Sequence, residues 1–301
     1  MPAFDITILT ESRYDRPEQI TEYIAGIQLE DELLKKALER RGMKVARTDW
    51  ANPDFDWSNT KYAIFRSTWD YFHRFDEFKE WLDSTSQLTS FINPLETILW
   101  NMDKHYLADM QNKDVNIPDT VFIHRGERTS LDELLKKTGW EDCILKPTVA
   151  GTARHTYRLN PSNTEDYEDV FQELIANEDM MLQVFIESII TKGEVSLVMI
   201  GGSYSHAVLK RAKGDDFRVQ DSFGGTLHEY QPTTEEIAFA EMAMAKCEPV
   251  PLYARVDVMW DNKGALALGE LELIEPELWF RKNPIAAELL AEVIVNSLMK
   301  R

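Results

Sequence analysis

Three carboxylates near the end of the chain have types and spacing that could do chemistry. Asp257 lies in Arg255-Val256-Asp257-Val258-Met259, and Glu270 and Glu272 lie in Gly269-Glu270-Leu271-Glu272-Leu273. Strand side chains alternate between faces, so Glu270 and Glu272 point one way and Leu271 and Leu273 the other. The turn signal Asp261-Asn262-Lys263-Gly264 folds the two segments into a hairpin, which sets Asp257 beside the glutamate pair. Three ionised acids between apolar strands repel one another. A hard divalent cation such as Mg²⁺ removes that cost and keeps room for phosphate oxygens. The alternative is a solvated polar strand face.

The basic partners are few but well placed. Lys146 ends a short strand just before the small-residue loop Val149-Ala150-Gly151-Thr152-Ala153, where backbone N–H groups can approach a phosphate. Lys104 follows Asn101-Met102-Asp103 at a helix start, and Lys210, Arg211 and Arg218 follow a long strand. Gathered around a metal, these would make an anion site; taken singly, each reads as a surface residue. His105, His155 and His206 are scattered without metal-ligand spacing and read as structural. Trp69, Tyr71 and Phe72 read as core.

The elements that must hold these residues alternate at first. Strands are expected at Asp5–Leu9, from Val45, and at Lys61–Phe65, with helices at Leu29–Arg41 and Phe75–Leu82. That alternation implies a small parallel sheet. Asn93-Pro94 punctuates the chain and marks a boundary. A helix is expected over Met102–Met110, and a capped helix starts at Ser130 and stops at Gly139. Cys143–Lys146 and Met181–Ile186 read as strands, with a helical stripe at Tyr167, Val170, Phe171, Leu174 and Ile175. The last third holds two hairpins, Glu194–Ile200 with Tyr204–Lys210 and Tyr253–Trp260 with Ala265–Leu273. A helix capped at Thr233 and a terminal helix over Pro284–Met299 complete it. The fold class is therefore α/β in front and α+β behind.

Composition narrows the partners. The chain has 301 residues with 33 Lys and Arg against 52 Asp and Glu, a net charge of −19. Such a surface repels nucleic acid and anionic lipid, so neither is an expected partner. At 44% hydrophobic residues the chain can bury a core. The two cysteines, Cys143 and Cys247, form no disulfide framework or zinc motif. No basic leader or long apolar run is seen, so a soluble, cytoplasmic protein is expected. P-loop, G-x-G-x-x-G, HExxH and GxSxG signatures are absent.

Taken in order, the motifs resemble the ATP-grasp superfamily. They are Asp103-Lys104-His105-Tyr106-Leu107, Ile144-Leu145-Lys146-Pro147 with its loop, Leu182 to Glu187, Gly193-Glu194-Val195-Ser196, Phe217-Arg218-Val219-Gln220 with Gly224-Gly225, Arg255-Val256-Asp257, and Glu270-Leu271-Glu272. Arg66 to Tyr71 and Glu270 to Pro276 resemble the glutathione-synthetase-like branch. The resemblance implies an ATP-grasp fold. A Rossmann-like leading subdomain over 1–95 would be followed by an ATP-grasp domain over 96–301, with a lid at about 114–184 and a central antiparallel-sheet subdomain at about 185–301.

The resemblance also implies ATP and Mg²⁺ as cofactors. Lys104 and Lys146 would hold phosphates, with Gly151 and Thr152 in the loop and Glu194 in the same site. The backbone of Gln183, Val184, Phe185 and Ile186 would read adenine, and Glu187 the ribose. Asp257, Glu270 and Glu272 would bind the metal, Glu272 standing where the family usually has Asn. Arg218, Arg255 and Lys210 would serve catalysis. Glu275 would meet a substrate amine. Arg66 and Asp70 would orient a zwitterionic substrate, or form a structural ion pair beside Trp69. The activity implied is an ADP-forming ligase that joins a small amino-acid-like carboxylate to an amine through an acylphosphate, between molecules or by cyclisation. A peptide-modifying ligase and a non-catalytic nucleotide-binding protein are the competing readings. A homodimer is one oligomeric state open to the chain.

Overall fold

A computed structural model describes residues 2–214, 216–219 and 223–299. Gln220, which ends one of the motifs above, lies outside them. Three sheets organise the chain.

The first sheet is parallel, in the order β2-β1-β3-β4. Its strands are β1 (Phe4–Thr10), β2 (Val45–Asp49), β3 (Thr60–Ser67) and β4 (Ser90–Ile92). The helix expected from Leu29 begins earlier, at Glu22, where Thr21 accepts the Ile24 N–H at 3.2 Å. Its later turns bury Leu34, Ala37 and Leu38, the stripe that the periodicity marks, while the earlier turns bury Ile27 alone among apolar residues. The carboxyl ends of β1 and β3 deliver Glu11 and the Arg66–Tyr71 segment to one rim of the sheet.

The second sheet is antiparallel, in the order β5-β8-β6-β7. It contains β5 (Thr120–Ile123), β6 (Cys143–Pro147), β7 (Tyr157–Leu159) and β8 (Met180–Val184). Helices Leu131–Thr138 and Thr164–Asn177 pack on it around Leu145, Phe171 and Leu182. Ser130 and Glu133 form the expected capping box, and Gly139 closes the helix in the left-handed region.

The third sheet, also antiparallel, runs β11-β10-β9-β12-β13. These strands are β9 (Glu194–Ile200), β10 (Ser203–Arg211), β11 (Thr226–Glu229), β12 (Tyr253–Trp260) and β13 (Leu266–Glu272). Val195, Leu197 and Met199 pack toward helices Tyr106–Asn112 and Thr234–Ala245. Val198, Ile200 and Tyr253, on the opposite face, join the terminal helix Pro284–Met299 and the first sheet. That second face turns polar at its other end, where Glu194, Ser196, Asp257 and Glu270 stand in neighbouring registers.

The helix expected over Met102–Met110 starts later: Tyr106–Asn112 is helical, a separate helix covers Leu95–Asn101, and Lys104 lies in the break between them. The Lys104 N–H donates to the Thr148 carbonyl at 2.9 Å and the Asp103 carboxylate accepts the His105 N–H at 3.0 Å. Long-range and side-chain bonds thus replace the helical ladder. No helix among the described residues is long and apolar enough to cross a membrane.

Candidate functional site

The β12–β13 hairpin sets the acidic residues. Asp257 faces Glu270 and Arg255 faces Glu272 across the ladder, with a register shift after Asp257 that leaves Gly269 as the extra residue. Carboxylate oxygens of Asp257, Glu270 and Glu272 lie within 4.8 Å of one another. β13 is an edge strand, and side chains rather than a further strand cover it. Asn101 donates to the Leu271 carbonyl and accepts the Leu273 N–H, both at 2.8 Å, and the Tyr106 hydroxyl accepts the Leu271 N–H at 2.9 Å. Both braces come from the helices flanking Lys104, so the fold that steadies Glu270 also aims the lysine. Lys104 Nζ lies 3.1 Å from Glu270 and also donates to the Ala150 carbonyl of the small-residue loop.

Counter-ions surround the deepest acid. Asp257 is fully buried and accepts from Lys210 at 3.0 Å and from Arg255 at 2.9 and 2.8 Å. Lys210 also pairs with Glu194, and Arg255 with Glu272. Burial alone would raise the Asp257 carboxyl, but Arg255 and Lys210 overcome it and hold it low. Burial likewise opposes the charge of Glu270, and Lys104 leads the groups that outweigh it. Glu272 is pushed well up, by burial first, despite Arg255.

A cleft opens between the second and third sheets. Lys104, Lys146, Gly151, Thr152, Glu194, Arg218 and Glu270 line its polar side, and Ile144, Val184, Phe185, Ile186 and Met259 its apolar side. Lys146 Nζ reaches the Gln183 side chain at 3.4 Å, and Gln183 donates to Thr120 at 2.9 Å. Burial, then repulsion from Lys104, lowers Lys146 to about 8. Thr152 and Ala153 both have positive φ, and Gly151 lies so close to Phe72 that an added Cβ would meet the ring at 2.5 Å. The loop is therefore seated on the first sheet's aromatic rim.

Other expected residues have different neighbours. The Phe185 N–H is bound to Asp142 O at 3.0 Å and its carbonyl to Asn262 at 2.8 Å; Asn262 also accepts the Glu187 N–H at 3.1 Å. Glu187 is exposed beside the cleft rather than lining it. Arg218 lines the cleft with its guanidinium on Asp216 at 2.7 Å and over the Phe223 ring at 3.7 Å. The ion pair considered between Arg66 and Asp70 does not form. Arg66 is 3% exposed, donates to the Pro276 carbonyl at 3.0 Å and faces the Phe280 ring. Asp70 instead accepts from Trp50 at 2.7 Å and Arg74 at 2.9 Å. Glu275 is raised to about 7 by burial and is bonded to the Tyr71 hydroxyl. Cys143 and Cys247 are buried free thiols, pushed up to about 12 and about 11 by desolvation.

Sequence reading passed over Glu11. It is 2% exposed, paired with Arg13 through one oxygen, and its Oε2 has no partner among the described residues. Burial raises it to about 7, with Asp70 and Asp49 adding to the effect. Its position just beyond β1, at the carboxyl end of a parallel sheet, was the available signal.

Comparison with known proteins gives this geometry its context. Residues 6–93 match the family model for the N-terminal domain of D-cycloserine synthetase DcsG. The cycloserine biosynthesis protein DcsG of Streptomyces lavendulae is 28% identical over 265 residues, covering 81% of this chain and 86% of that protein. The crystal structure of D-cycloserine synthetase DcsG superposes with a TM-score of 0.83 at 25% identity, covering 97% of this chain and 99% of that one. D-alanine–D-alanine ligase from Bacillus anthracis, complexed with ATP, gives 0.66 at 13% identity, over 99% and 98% of the chains, a likeness of fold. The chain has the ATP-grasp fold and resembles D-cycloserine synthetase along most of its length.

Proposed function

We propose that this protein is a ligase that uses Mg-ATP to activate the carboxylate of a small amino-acid derivative as an acylphosphate and closes it onto an amine of the same molecule. The likeness to D-cycloserine synthetase supports the cyclising form. The observation that carries the reading is the facing of Asp257 and Glu270 across paired strands, with Lys104 and Lys146 converging on them.

Three hard-oxygen ligands at this spacing fit a magnesium ion, and Asp257, Glu270 and Glu272 would hold it. When bound, the ion supplies positive charge to phosphate oxygens. Lys104 and Lys146 grip the phosphates, and the Gly151–Thr152 backbone approaches them. The apolar wall of Val184, Phe185, Ile186 and Met259 takes the base. Because the Phe185 amide and carbonyl already have partners, its neighbours in the linker read the base edge, and Glu187 takes the ribose. Arg218 leaves Asp216 for the transferring phosphoryl group, while Lys210 and Glu194 keep Arg255 and Asp257 aligned beneath it. The substrate carboxylate attacks the terminal phosphorus and ADP leaves. The amine then attacks the acyl carbon, a C–N bond forms, the C–O bond to phosphate breaks, and the amine proton passes to solvent. Glu11, Asp70 and Glu275 form an acidic rim for the substrate's ammonium, and the seam where Arg66 sits orients that rim.

A phosphate-release screen over D- and L-amino acids and their O-substituted serine derivatives, with Mg-ATP, tests the reading. Lys146→Ala and Glu270→Gln should each lower turnover at least about 10²-fold while folding persists. Full turnover in both folded variants, on a substrate the wild type uses, would remove the site assignment.

A further inference from the structure

We infer that His105, His124 and Asp179 form a binding site for a borderline divalent transition-metal ion of the Zn²⁺ class, separate from the carboxylate trio. The three residues come from three segments: the break between two helices, the end of β5, and the turn before β8. Their ligand atoms lie within 4.8 Å of one another. His124 Nδ1 is 3.5 Å and His105 Nε2 is 3.9 Å from the same oxygen, Asp179 Oδ2. Ligands on a tetrahedral zinc stand roughly 3.3 Å apart, so small side-chain rotations complete the geometry. The two imidazole planes are nearly parallel, 5° apart, with centroids 5.8 Å apart. Two rings sharing one tetrahedral ion would have centroids separated by roughly 5.3 Å.

The surroundings fix the lone pairs. His105 Nδ1 lies 2.6 Å from Asp103 Oδ1, and Phe122 stacks on the ring with centroids 4.5 Å apart. With Nδ1–H donated to a carboxylate, Nε2 presents its lone pair, the carboxylate–histidine arrangement that supports metal ligands. That Nε2 is buried and has no hydrogen-bond partner. Asp179 Oδ1 accepts the Arg125 N–H at 2.7 Å, which leaves Oδ2 turned to the imidazoles. A bare nitrogen lone pair facing a carboxylate oxygen is unfavourable until a cation sits between them. Nitrogen ligands select zinc-like ions over Mg²⁺. His124 is 74% exposed, so a fourth position opens to water.

The site would also join two segments that already share backbone hydrogen bonds. Asp179 O accepts the Thr148 N–H at 3.0 Å, and Thr148 O accepts the Lys104 N–H at 2.9 Å. An ion here clamps the second sheet to the segment carrying Lys104.

The test uses untagged, metal-stripped full-length protein titrated with Co²⁺ in excess Mg²⁺, which saturates carboxylate sites. One equivalent of Co²⁺ should bind with visible d–d absorption, be displaced by Zn²⁺, and raise Tm. His124→Ala, an exposed change, and Asp179→Asn should each weaken binding and abolish the Tm shift. Asp103→Asn should weaken binding about 10- to 100-fold. Absence of stoichiometric binding in Mg²⁺ would overturn the inference, as would binding unchanged in both the His124 and Asp179 variants.

Discussion

Lys146 shows what one residue's surroundings can do. Burial disfavours its ammonium and Lys104 repels it, so it titrates at about 8 rather than near the ordinary 10.5. A bound phosphate restores a partner for the charge and raises the value again. ATP binding above pH 8 should therefore take up a proton, and affinity should fall, by up to about tenfold per pH unit, as pH rises through that value. Below pH 7 this group contributes no uptake. Calorimetry in buffers of differing ionisation enthalpy reads the uptake directly, and Lys146→Met should remove it. The acids were legible in the sequence because strand alternation and a short turn govern a hairpin locally. Glu11 was not, because its isolation depends on the distant burial that surrounds it.

At the scale of elements, the feature that matters is the broken helix before and after Lys104. Its flanking helices supply Asn101 and Tyr106, which close the open edge of β13. Tyr106→Phe keeps the ring in the core but leaves the buried Leu271 N–H without an acceptor. It should cost about 1–3 kcal/mol in urea unfolding and slow phosphate release through loosened Glu270. Gly193 precedes Glu194 at φ 90°, and a Cβ there would meet the Lys210 carbonyl at 2.4 Å. Gly193→Ala should cost about 1–3 kcal/mol and weaken ATP binding by displacing Glu194, measured by unfolding and by titration of nucleotide. Local periodicity could not reveal the helix break, since the bonds that replace the ladder come from Thr148, far along the chain.

Across the whole molecule, the first and third sheets are locked at Asn93. Its amide donates to the Tyr253 and Leu273 carbonyls at 3.0 and 2.9 Å and accepts the Leu252 N–H at 2.7 Å, with no exposure to solvent. Tyr253 reinforces the joint with its hydroxyl 2.8 Å from the Ile274 carbonyl. The rim bearing Glu11, Asp70 and Tyr71 is thereby held against Glu275 and the acidic hairpin. Asn93→Ala should cost about 3 kcal/mol and raise KM for the amino-acid substrate more than for ATP. Equilibrium unfolding and paired substrate titrations check both parts. The sequence marked Asn93-Pro94 as punctuation; its role as a joint depends on strands that follow some 160 residues later.

The order of elements, the alternating faces of the hairpins, the helix caps and the acidic trio follow from the chain itself, because each depends on neighbours within a turn or two. The pairing of Lys104 with Glu270, the release of Arg66 and Asp70 to separate partners, and the meeting of His105, His124 and Asp179 were decided only by packing. Contacts between distant segments depend on how whole sheets seat against one another, and no local spacing encodes that.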